Sequence, residues 1–247
     1  MAVKPHFAPN HEVDVPRKAK LSQAIAHGGQ RCHWCGEDPL YVAYHDLTWG
    51  RPVQRPRELF MKLCLDGQQA GLSWITILKK EQNFFEAFAH FDPHQILKMT
   101  ARELSQLKNN PGIIRSQLKI ESIVRNSRAY VGFLERGEHF GEFMWSFVDG
   151  RPSPRTQRPP TKIPTQTKES EAMSKALKHH GFNFVGPTIC YAFMQAVGMV
   201  NDHLVSCPSY GPCDELAMGF RFSKLPDAPA QLGQHVIAAQ NLATLKP

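Results

Sequence analysis

The amino-acid sequence predicts an all-α fold, and three observations lead to this prediction. Apolar residues recur at helical spacing in most segments between residues 57 and 197. Residue types that begin and end helices stand at the edges of these segments. Neither a strand pattern nor an internal repeat stands out. The chain has 247 residues, which is enough for one substantial core or for one domain with a subdomain.

Two apolar helices are predicted in the first third of the chain. Residues 57–65 place several apolar side chains on one helical face. The polar segment 66–72 follows or breaks this helix. Ser73 can cap the next helix, which we expect over residues 74–91 because apolar residues recur there at helical spacing.

Two capping signals mark the next helices. Asp92 is suited to an N-cap, and Pro93 is suited to the first helical position, where its missing N–H is not needed. Thr100 and Glu103 have the spacing of a capping box. We expect the helix that they begin to end near Leu107.

A tight turn and a long helix then complete a helical hairpin. Residues 108–113 contain two Asn, one Pro and one Gly, which together favour a turn. A long helical pattern follows over residues 114–135. This order is that of a helix-hairpin-helix, whose backbone N–H groups can face a DNA phosphate. An ordinary helical hairpin has the same local pattern.

The remaining elements are a loop and two helices. Residues 150–168 are rich in Pro and basic residues, which suits either a phosphate-facing loop or a solvated linker. A short helix is predicted over residues 169–180, with Gly181 at its end. Pro187 begins an apolar helix that runs to about Val197.

Both ends of the chain are predicted to lie outside the folded domain. We expect residues 1–30 to be a disordered basic extension, with order beginning near Arg31, and residues 214–247 to be a weakly structured tail. The start of the chain lacks the apolar block of a secretory signal, and no apolar run reaches membrane-spanning length. We therefore expect a cytoplasmic protein, or one in the compartment that holds DNA, with no membrane partner.

The charge balance is basic. The formal net charge is +7, and the calculated pI is about 9.2. Such a balance favours polyanionic partners by release of their counterions. By itself this indication is weak, because many basic proteins do not bind nucleic acid.

A metal site is suggested by Cys and His residues near both ends of the predicted domain. His203 and Cys207 are spaced to share one helical face or turn, and Cys32 and His45 stand near the start of the domain. Two ligands from each end would form a tetrahedral Cys2His2 site. Cys35 is a rival ligand, and burial of free thiols is an equal alternative.

A second group of candidates could form a pocket. Five aromatic residues lie early in the chain and could enclose a flipped purine, although aromatic residues also build ordinary cores; they are Trp34, Tyr41, Tyr44, Trp49 and Trp74. Asp66 precedes Gly-Gln-Gln and could accept a hydrogen bond from an adenine amino group. An Asp before Gly is also a common turn residue.

Taken together, these segments resemble the 3-methyladenine DNA glycosylase I family. The matching stretches are RCHWCGEDPLYVAYHDLTWG, LFMKLCLDGQQAGLSWITILKK, NNPGIIRSQLKIESIVRNSRAY, MWSFVDGRP and SKALKHHGFNFVGPTICYAFMQAVGMVNDHLVSCPSY. Their order and spacing match over about residues 31–210. The resemblance implies a helix-hairpin-helix glycosylase domain over residues 31–213, with the hairpin near 101–135. It also implies a zinc subdomain formed by residues 31–50 and 186–210.

The resemblance also implies roles for single residues. The ligands of one structural Zn²⁺ fall on Cys32, His45, His203 and Cys207. Asp66, Tyr44 and Trp74 fall on the positions that read and contact the damaged base, and Tyr41 and Trp49 complete the pocket. Gln69, Gly71 and Leu72 fall on the loop that enters the gap left by the flipped nucleotide. Asn110, Pro111, Gly112 and Ile113 fall on the hairpin that holds the DNA backbone.

The implied activity is hydrolysis of the N-glycosidic bond of 3-methyladenine in double-stranded, alkylated DNA by a monomer that flips the base. The hairpin region has Arg115 rather than Lys, and no Asp occurs between Asp92 and Asp149. Both absences favour a monofunctional enzyme that forms no Schiff base.

One departure concerns the acidic position. The family has Glu where this chain has Asp66, so the carboxylate is one methylene shorter and can fall short of a base edge. The alternative function is therefore a lesion- or DNA-binding relative with reduced catalysis. A hydrolytic zinc enzyme is disfavoured, because four protein ligands leave no open coordination position.

Overall fold

The computed structural model describes residues 30–153 and 163–243 and confirms an all-helical fold without strands in these ranges. The helices are α1 Pro39–Leu47, α2 Pro56–Gln68, α3 Trp74–Leu78, α4 Glu81–Ala87, α5 Pro93–Lys98, α6 Ala101–Leu107, α7 Gln117–Glu135, α8 Phe140–Ser146, α9 Lys168–His179, α10 Pro187–Ala196, α11 Tyr210–Gly219 and α12 Gln234–Ala243. Within the described ranges, no helix has the combined length and apolar character that a membrane crossing needs. The predicted N-terminal extension up to residue 29, and residues 154–162 of the predicted basic loop, lie outside the described residues.

Helix α2 lies in the middle of the core. Leu59, Phe60 and Leu63 are completely buried, and the helix packs against α3, α7, α8 and α10. We predicted a loop from residue 66, but α2 continues through Gln68. Gly67 lies within the helix where Phe184 packs closely against it. A Cβ added at Gly67 would lie only 3.1 Å from the Cβ of Phe184, so this position favours a residue without a side chain. Close packing therefore explains a glycine that resembles a turn signal.

The predicted single helix over residues 74–91 is wrong. The chain forms α3 and α4 with a break at Lys79–Lys80, and α4 ends at Ala87. Residues 89–91 then adopt positive φ angles, which a right-handed helix cannot include. The break between α3 and α4 contains neither Gly nor Pro, so no local signal marks it.

The capping predictions for the helices after residue 91 are confirmed, whereas Ser73 stands at the N-cap position of α3 but its side chain makes no capping hydrogen bond and contacts the hydroxyl of Thr76 instead. The Asp92 side chain accepts hydrogen bonds from the backbone N–H groups of His94 and Gln95 at 2.9 and 3.2 Å, and Pro93 begins α5. Thr100 and Glu103 form the predicted capping box of α6.

The predicted ends of the helices agree with the structure in some cases and differ in others. Helix α6 ends at Leu107 as predicted, whereas α7 begins at Gln117 and not at 114. Gly181 and Gly198 follow the ends of α9 and α10 with φ angles of 89° and 71°, which favour glycine.

The prediction of a weakly structured tail from residue 214 is wrong for the described residues up to 243. Phe220 lies in the extended segment between α11 and α12, and its ring packs 4.4 Å from that of Trp145. Asp227 in the same segment accepts hydrogen bonds from Arg57 and from the hydroxyl of Tyr130. Helix α12 packs against α1. The segment has no helical periodicity, and long-range contacts hold it in place.

We expect Asp227→Ala to lower the free energy of unfolding by about 1–3 kcal/mol, because it leaves a largely buried Arg57 with only its second partner, Asp92. Denaturant titration would measure the change. Glu215→Ala, an exposed site on α11, is the control and should change stability by less than about 0.5 kcal/mol. Equal stability of the two variants would contradict a structural role for the segment.

Candidate functional site

A cavity of about 220 Å³ opens between α1, α2, α3 and α10. Its walls combine aromatic side chains with a few polar groups, and the lining residues are Trp34, Tyr41, Tyr44, Trp49, Lys62, Asp66, Gln69, Trp74, Ile163, Ala192, Gln195 and Ala196. The structure thus brings together the acidic residue, Gln69 and the aromatic residues that the sequence singled out. A cavity with mainly apolar walls, in which five aromatic side chains accompany four polar ones, suits a planar organic ligand.

Asp66 is the acidic group of this cavity. It lies in the last turn of α2 and is 1% exposed. One carboxylate oxygen accepts a hydrogen bond from Lys62, one helical turn earlier. The other, Oδ2, is buried and has no hydrogen-bond partner among the described residues. A buried acceptor without a donor costs about 1–3 kcal/mol, so this oxygen gains from any ligand that donates to it.

Burial raises the pKa of Asp66 from its ordinary 3.8 to about 6. The ammonium of Lys62 opposes this rise, while the nearby charge of Glu81 adds to it. With this pKa, the carboxylate is mostly ionised at neutral pH and can accept hydrogen bonds there. The cavity therefore contains a charged acceptor that is almost completely shielded from bulk solvent.

Aromatic rings form the rest of the cavity wall. The rings of Tyr44 and Trp74 lie 5.4 Å apart, and that of Trp34 lies 5.2 Å from Tyr41 and 4.8 Å from Trp49. The indole Nε1 of Trp74 is buried without an acceptor among the described residues. These faces can stack on a flat heterocycle while the polar atoms hydrogen-bond its edge.

The turn after α2 lies beside the cavity. Gln69 lines the cavity, whereas Gly71 and Leu72 are exposed, and Leu72 is 40% exposed. Gly71 has a φ angle of 74°, which favours glycine. The buried ammonium of Lys119 donates to the carbonyl groups of residues 68 and 70 at 2.7 and 2.8 Å. The turn therefore holds an exposed apolar side chain on a fixed backbone.

Several groups of the turn before α7 already have partners within the protein. The Gly112 N–H donates to the side chain of Asn110 at 2.8 Å, and the Pro111 carbonyl accepts from Lys80 at 2.6 Å. Ile113 is 2% exposed and belongs to the core. The side chain of Ile113 and the N–H of Gly112 are thus committed within the protein.

Four candidate metal ligands meet in a second site. Their ligand atoms all lie within 4.8 Å of one another, and all four residues are buried; they are Cys32, His45, His203 and Cys207. Sulfur–nitrogen distances are 3.5 Å for Cys207 to His45, and 3.6 Å for both Cys207 and Cys32 to His203. The structure therefore brings together the set that the sequence suggested, as a buried Cys2His2 cluster that can bind a metal.

The surroundings of the cluster orient its imidazoles. Nδ1 of His45 lies 2.7 Å from the carboxylate of Asp46, which Arg31 contacts at 2.9 Å. Nε2 of His203 lies 3.3 Å from the carbonyl oxygen of Trp49. Such second contacts fix a ligand ring and its tautomer. Cys35 points elsewhere, because its thiol donates to the carbonyl of Cys32 at 3.2 Å.

The cluster and the cavity share a wall. The ring of Trp49 lies 4.6 Å from His203, and that of Trp34 lies 5.3 Å from His45. Both tryptophans also line the cavity. The cluster therefore supports the aromatic side of the cavity from behind.

Comparison with known proteins identifies the family. The sequence profile described as methyladenine glycosylase matches residues 34–210. The chain belongs to the methyladenine glycosylase family. A DNA-3-methyladenine glycosylase of Haemophilus influenzae is 50% identical over 178 residues, which are 72% of this chain and 96% of the relative.

Solved structures agree with this membership. A crystal structure of 3-methyladenine DNA glycosylase I superposes with a TM-score of 0.71 at 51% identity, and the match covers 73% of this chain and all of that one. A Tyr-to-Phe variant of a 3-methyladenine DNA glycosylase I, in complex with 3-methyladenine, matches with a TM-score of 0.68 at 37% identity. That match covers 72% of this chain and 96% of the other.

Sequence reasoning missed several residues around the pocket of this methyladenine glycosylase family member. Lys62 pairs with Asp66, and a correct prediction of α2 would have shown the spacing of four residues that permits this pair. Gln195 lines the cavity from α10. His235 in α12 packs its ring 5.1 Å from Tyr44, and it hydrogen-bonds Glu81 at 2.9 Å. No local pattern pointed to the last two.

The raised pKa of Asp66 predicts a stability that depends on pH. Between about pH 4 and pH 6 the folded protein binds more protons than the unfolded chain, so the free energy of unfolding falls as pH rises. We expect Asp66→Asn to gain stability relative to the native protein over this range, by up to about 3 kcal/mol. Denaturant titrations at about pH 4, 5.5 and 7.5 would measure the difference. A constant difference across these pH values would contradict the assigned pKa.

Proposed function

We propose that this chain hydrolyses the N-glycosidic bond of 3-methyladenine in double-stranded, alkylated DNA and binds the base after flipping it out of the helix. The observation that carries this proposal is the buried, partnerless oxygen of Asp66 at the wall of an aromatic cavity. An exocyclic amino group would supply the missing donor. The 3-methyladenine bound by a family member supports this choice of base.

Recognition of the base follows from the walls of the cavity. Asp66 accepts a hydrogen bond from the amino group, Trp74 stacks on the purine, and Tyr44 completes the contact. Tyr41 and Trp49 close the sides of the pocket. The nucleoside of 3-methyladenine is cationic, so an ionised carboxylate also favours it electrostatically.

The reaction needs little chemical activation by the protein. Alkylation at N3 places positive charge on the adenine and weakens its bond to the sugar. The protein has to hold the flipped base and exclude competing reactions while the base leaves and water adds to the sugar. The aromatic walls replace the stacking that the base loses when it leaves the helix.

A monofunctional mechanism agrees with the positions of the lysines near the pocket. Lys62 is held by the carboxylate of Asp66, and Lys119 is held by backbone carbonyl groups. An amine nitrogen that is engaged in such contacts is not positioned to attack a sugar carbon and form a Schiff base. Arg115, just beyond the hairpin, cannot replace them because a Schiff base requires the amine of a lysine.

DNA is proposed to lie across the turn after α2 and the turn before α7. Leu72, with Gln69 and Gly71, would fill the gap left by the flipped nucleotide, since its apolar side chain is exposed on a fixed turn. Residues 110–113 would approach the phosphate backbone as the turn of a helix-hairpin-helix. Because the N–H of Gly112 is already used, backbone groups nearer the start of α7 are better placed to bind phosphate.

One structural Zn²⁺ is proposed for the Cys2His2 cluster. In a tetrahedral zinc site, with Zn–S distances of about 2.3 Å and Zn–N distances of about 2.0 Å, sulfur and nitrogen ligands lie about 3.5 Å apart. The observed separations of 3.5 and 3.6 Å fit this geometry. Four protein ligands would close the site, so the metal would join the segments 31–50 and 186–210 rather than catalyse. We further propose that the protein acts as a monomer in the compartment that holds the DNA.

Single-turnover release of 3-methyladenine from methylated duplex DNA tests the function. We expect the native protein to release the base and Asp66→Asn to be slower by about 100-fold, because the amide replaces a charged acceptor. Asp66→Glu tests whether the shorter side chain limits the rate. Lys175→Met, an exposed site outside the cavity, is the control and should match the native rate.

The outcomes separate the two candidate functions. Release by the native protein that fails in Asp66→Asn supports the enzyme. Tight binding of free 3-methyladenine without release, together with restored release in Asp66→Glu, supports a lesion-binding relative whose catalysis is reduced. Neither release nor binding by the native protein contradicts the proposed function.

Metal analysis tests the cluster. We expect one zinc per native chain, loss of the zinc in Cys207→Ser, and a lower melting temperature of that variant, because the metal contributes to folding. Cys35→Ser is the matched control, since its thiol is buried nearby without facing the cluster. Full zinc content in Cys207→Ser with loss in Cys35→Ser would assign the ligand to Cys35.

A further inference from the structure

Lys62 places a cation in the wall of the cavity, beside a buried acid. Its side chain is 15% exposed, and its ammonium donates to Asp66. The same nitrogen lies 4.0 Å from the centroid of the Trp74 ring. A long side chain is thus held at the wall of the pocket by contacts with Asp66 and Trp74.

We propose that Lys62 is a second base-reading residue, which donates a hydrogen bond to a ring nitrogen of the bound base while Asp66 accepts one from the adjacent amino group. This inference rests on the proposed function, because it concerns the same pocket and the same base.

The position of the ammonium suits this role. A base stacked on Trp74 lies about 3.5–4 Å above the ring. The Lys62 nitrogen lies over the ring, at 4.0 Å from its centroid, and so occupies part of the face on which a base would stack. A base that is offset on the ring would then lie at about the height of the ammonium and meet it with its edge. Asp66 Oδ2 is free to accept from the same edge, because Lys62 contacts only Oδ1.

The pair also matches the chemistry of adenine. Adenine presents an amino donor next to the ring acceptor N7, whereas guanine presents two acceptors, O6 and N7. An acceptor and a donor side by side complement the adenine edge. On the guanine edge, Asp66 would face O6, and two acceptors repel each other. Asp66 therefore selects adenine-type lesions over guanine-type lesions. The Lys62 contact to N7 is possible with both bases, and Lys62 supports the selection by compensating the charge of Asp66.

Lys62 has a second effect, through the charge of Asp66. The ammonium lowers the pKa of Asp66 against the rise caused by burial. The other titratable groups that interact with the charge of Asp66 are Tyr44, Cys64, Glu81 and Cys190. None of these is a cation, so removal of Lys62 leaves the carboxylate without compensation. The acid would then keep its proton to higher pH and lose its role as an acceptor near pH 7.

The test is the affinity for free 3-methyladenine, measured by calorimetry between about pH 5 and pH 9 for the native protein and three variants. We expect Lys62→Met to bind about tenfold more weakly at pH 7. The pH at which its affinity rises should also move upward by about one unit or more. Lys62→Arg should keep both the affinity and the pH midpoint near the native values. Lys62→Gln, which keeps a donor without the charge, should recover affinity only at higher pH.

Discrimination gives an independent readout. The native protein should prefer free 3-methyladenine to 3-methylguanine, and Lys62→Met should lose much of this preference near pH 7, because its Asp66 keeps the proton and no longer repels O6. Lys175→Met is the control for loss of a lysine charge outside the cavity, and melting temperatures with zinc content verify that each variant is folded. A merely structural role of Lys62 would lower the melting temperature without moving the pH midpoint.

The outcomes distinguish this inference from the proposed function. Native binding and release of 3-methyladenine with unchanged affinity and pH midpoint in Lys62→Met would overturn the role of Lys62 alone. Absence of both binding and release in the native protein would overturn the proposed function and this inference with it. Borohydride trapping of DNA on the native protein, but not on Lys62→Arg, would assign Lys62 a covalent role and also overturn it.

Discussion

A charged group inside the most enclosed helix is the constraint on which the rest of this structure depends. Helix α2 is surrounded by other helices, yet its last turn carries Asp66, which is 1% exposed. A buried carboxylate is unfavourable unless it is paired and hydrogen-bonded. Lys62 satisfies one oxygen, and the other faces the cavity. The protein thus keeps a site that is less stable than an apolar core but ready for a ligand that donates a hydrogen bond.

Two separate structural features support the aromatic walls around this carboxylate. The Cys2His2 cluster contacts Trp34 and Trp49 from one side. On another side, His235 in α12 contacts Tyr44. Rigid walls matter because a pocket that must be complementary to a flat base loses affinity when its rings can move apart. The aromatic residues therefore owe their positions to segments that are distant in the sequence.

Local chemistry explains which parts of the fold could be predicted. Caps such as Asp92 and the Thr100–Glu103 box act over three or four residues, and they appear in the structure as predicted. The four cluster ligands could be proposed because few residue types bind zinc, although spacing alone left Cys35 as a rival. The resemblance to known glycosylases supplied the roles in the pocket, which composition and periodicity did not give.

Other features depend on tertiary contacts and were missed. Gly67 suggested a loop, but close packing against Phe184 keeps it within α2. As a result the pairing of Lys62 with Asp66 was not predicted. The segment after residue 219 lacks periodicity, and its position comes from partners such as Arg57, Tyr130 and Trp145 that lie far away in the chain. A single sequence carries little information about such contacts.

The position of α12 has a consequence for the way a minimal functional unit is defined. The family match spans residues 34–210. A fragment cut to these limits would lose Cys32, which is one corner of the cluster, and His235, which backs the pocket. The family match marks the part of the chain that is shared with relatives, whereas the packed domain of this protein extends on both sides of it. Fusion tags and deletions should therefore be placed outside the packed domain and not at the limits of the family match.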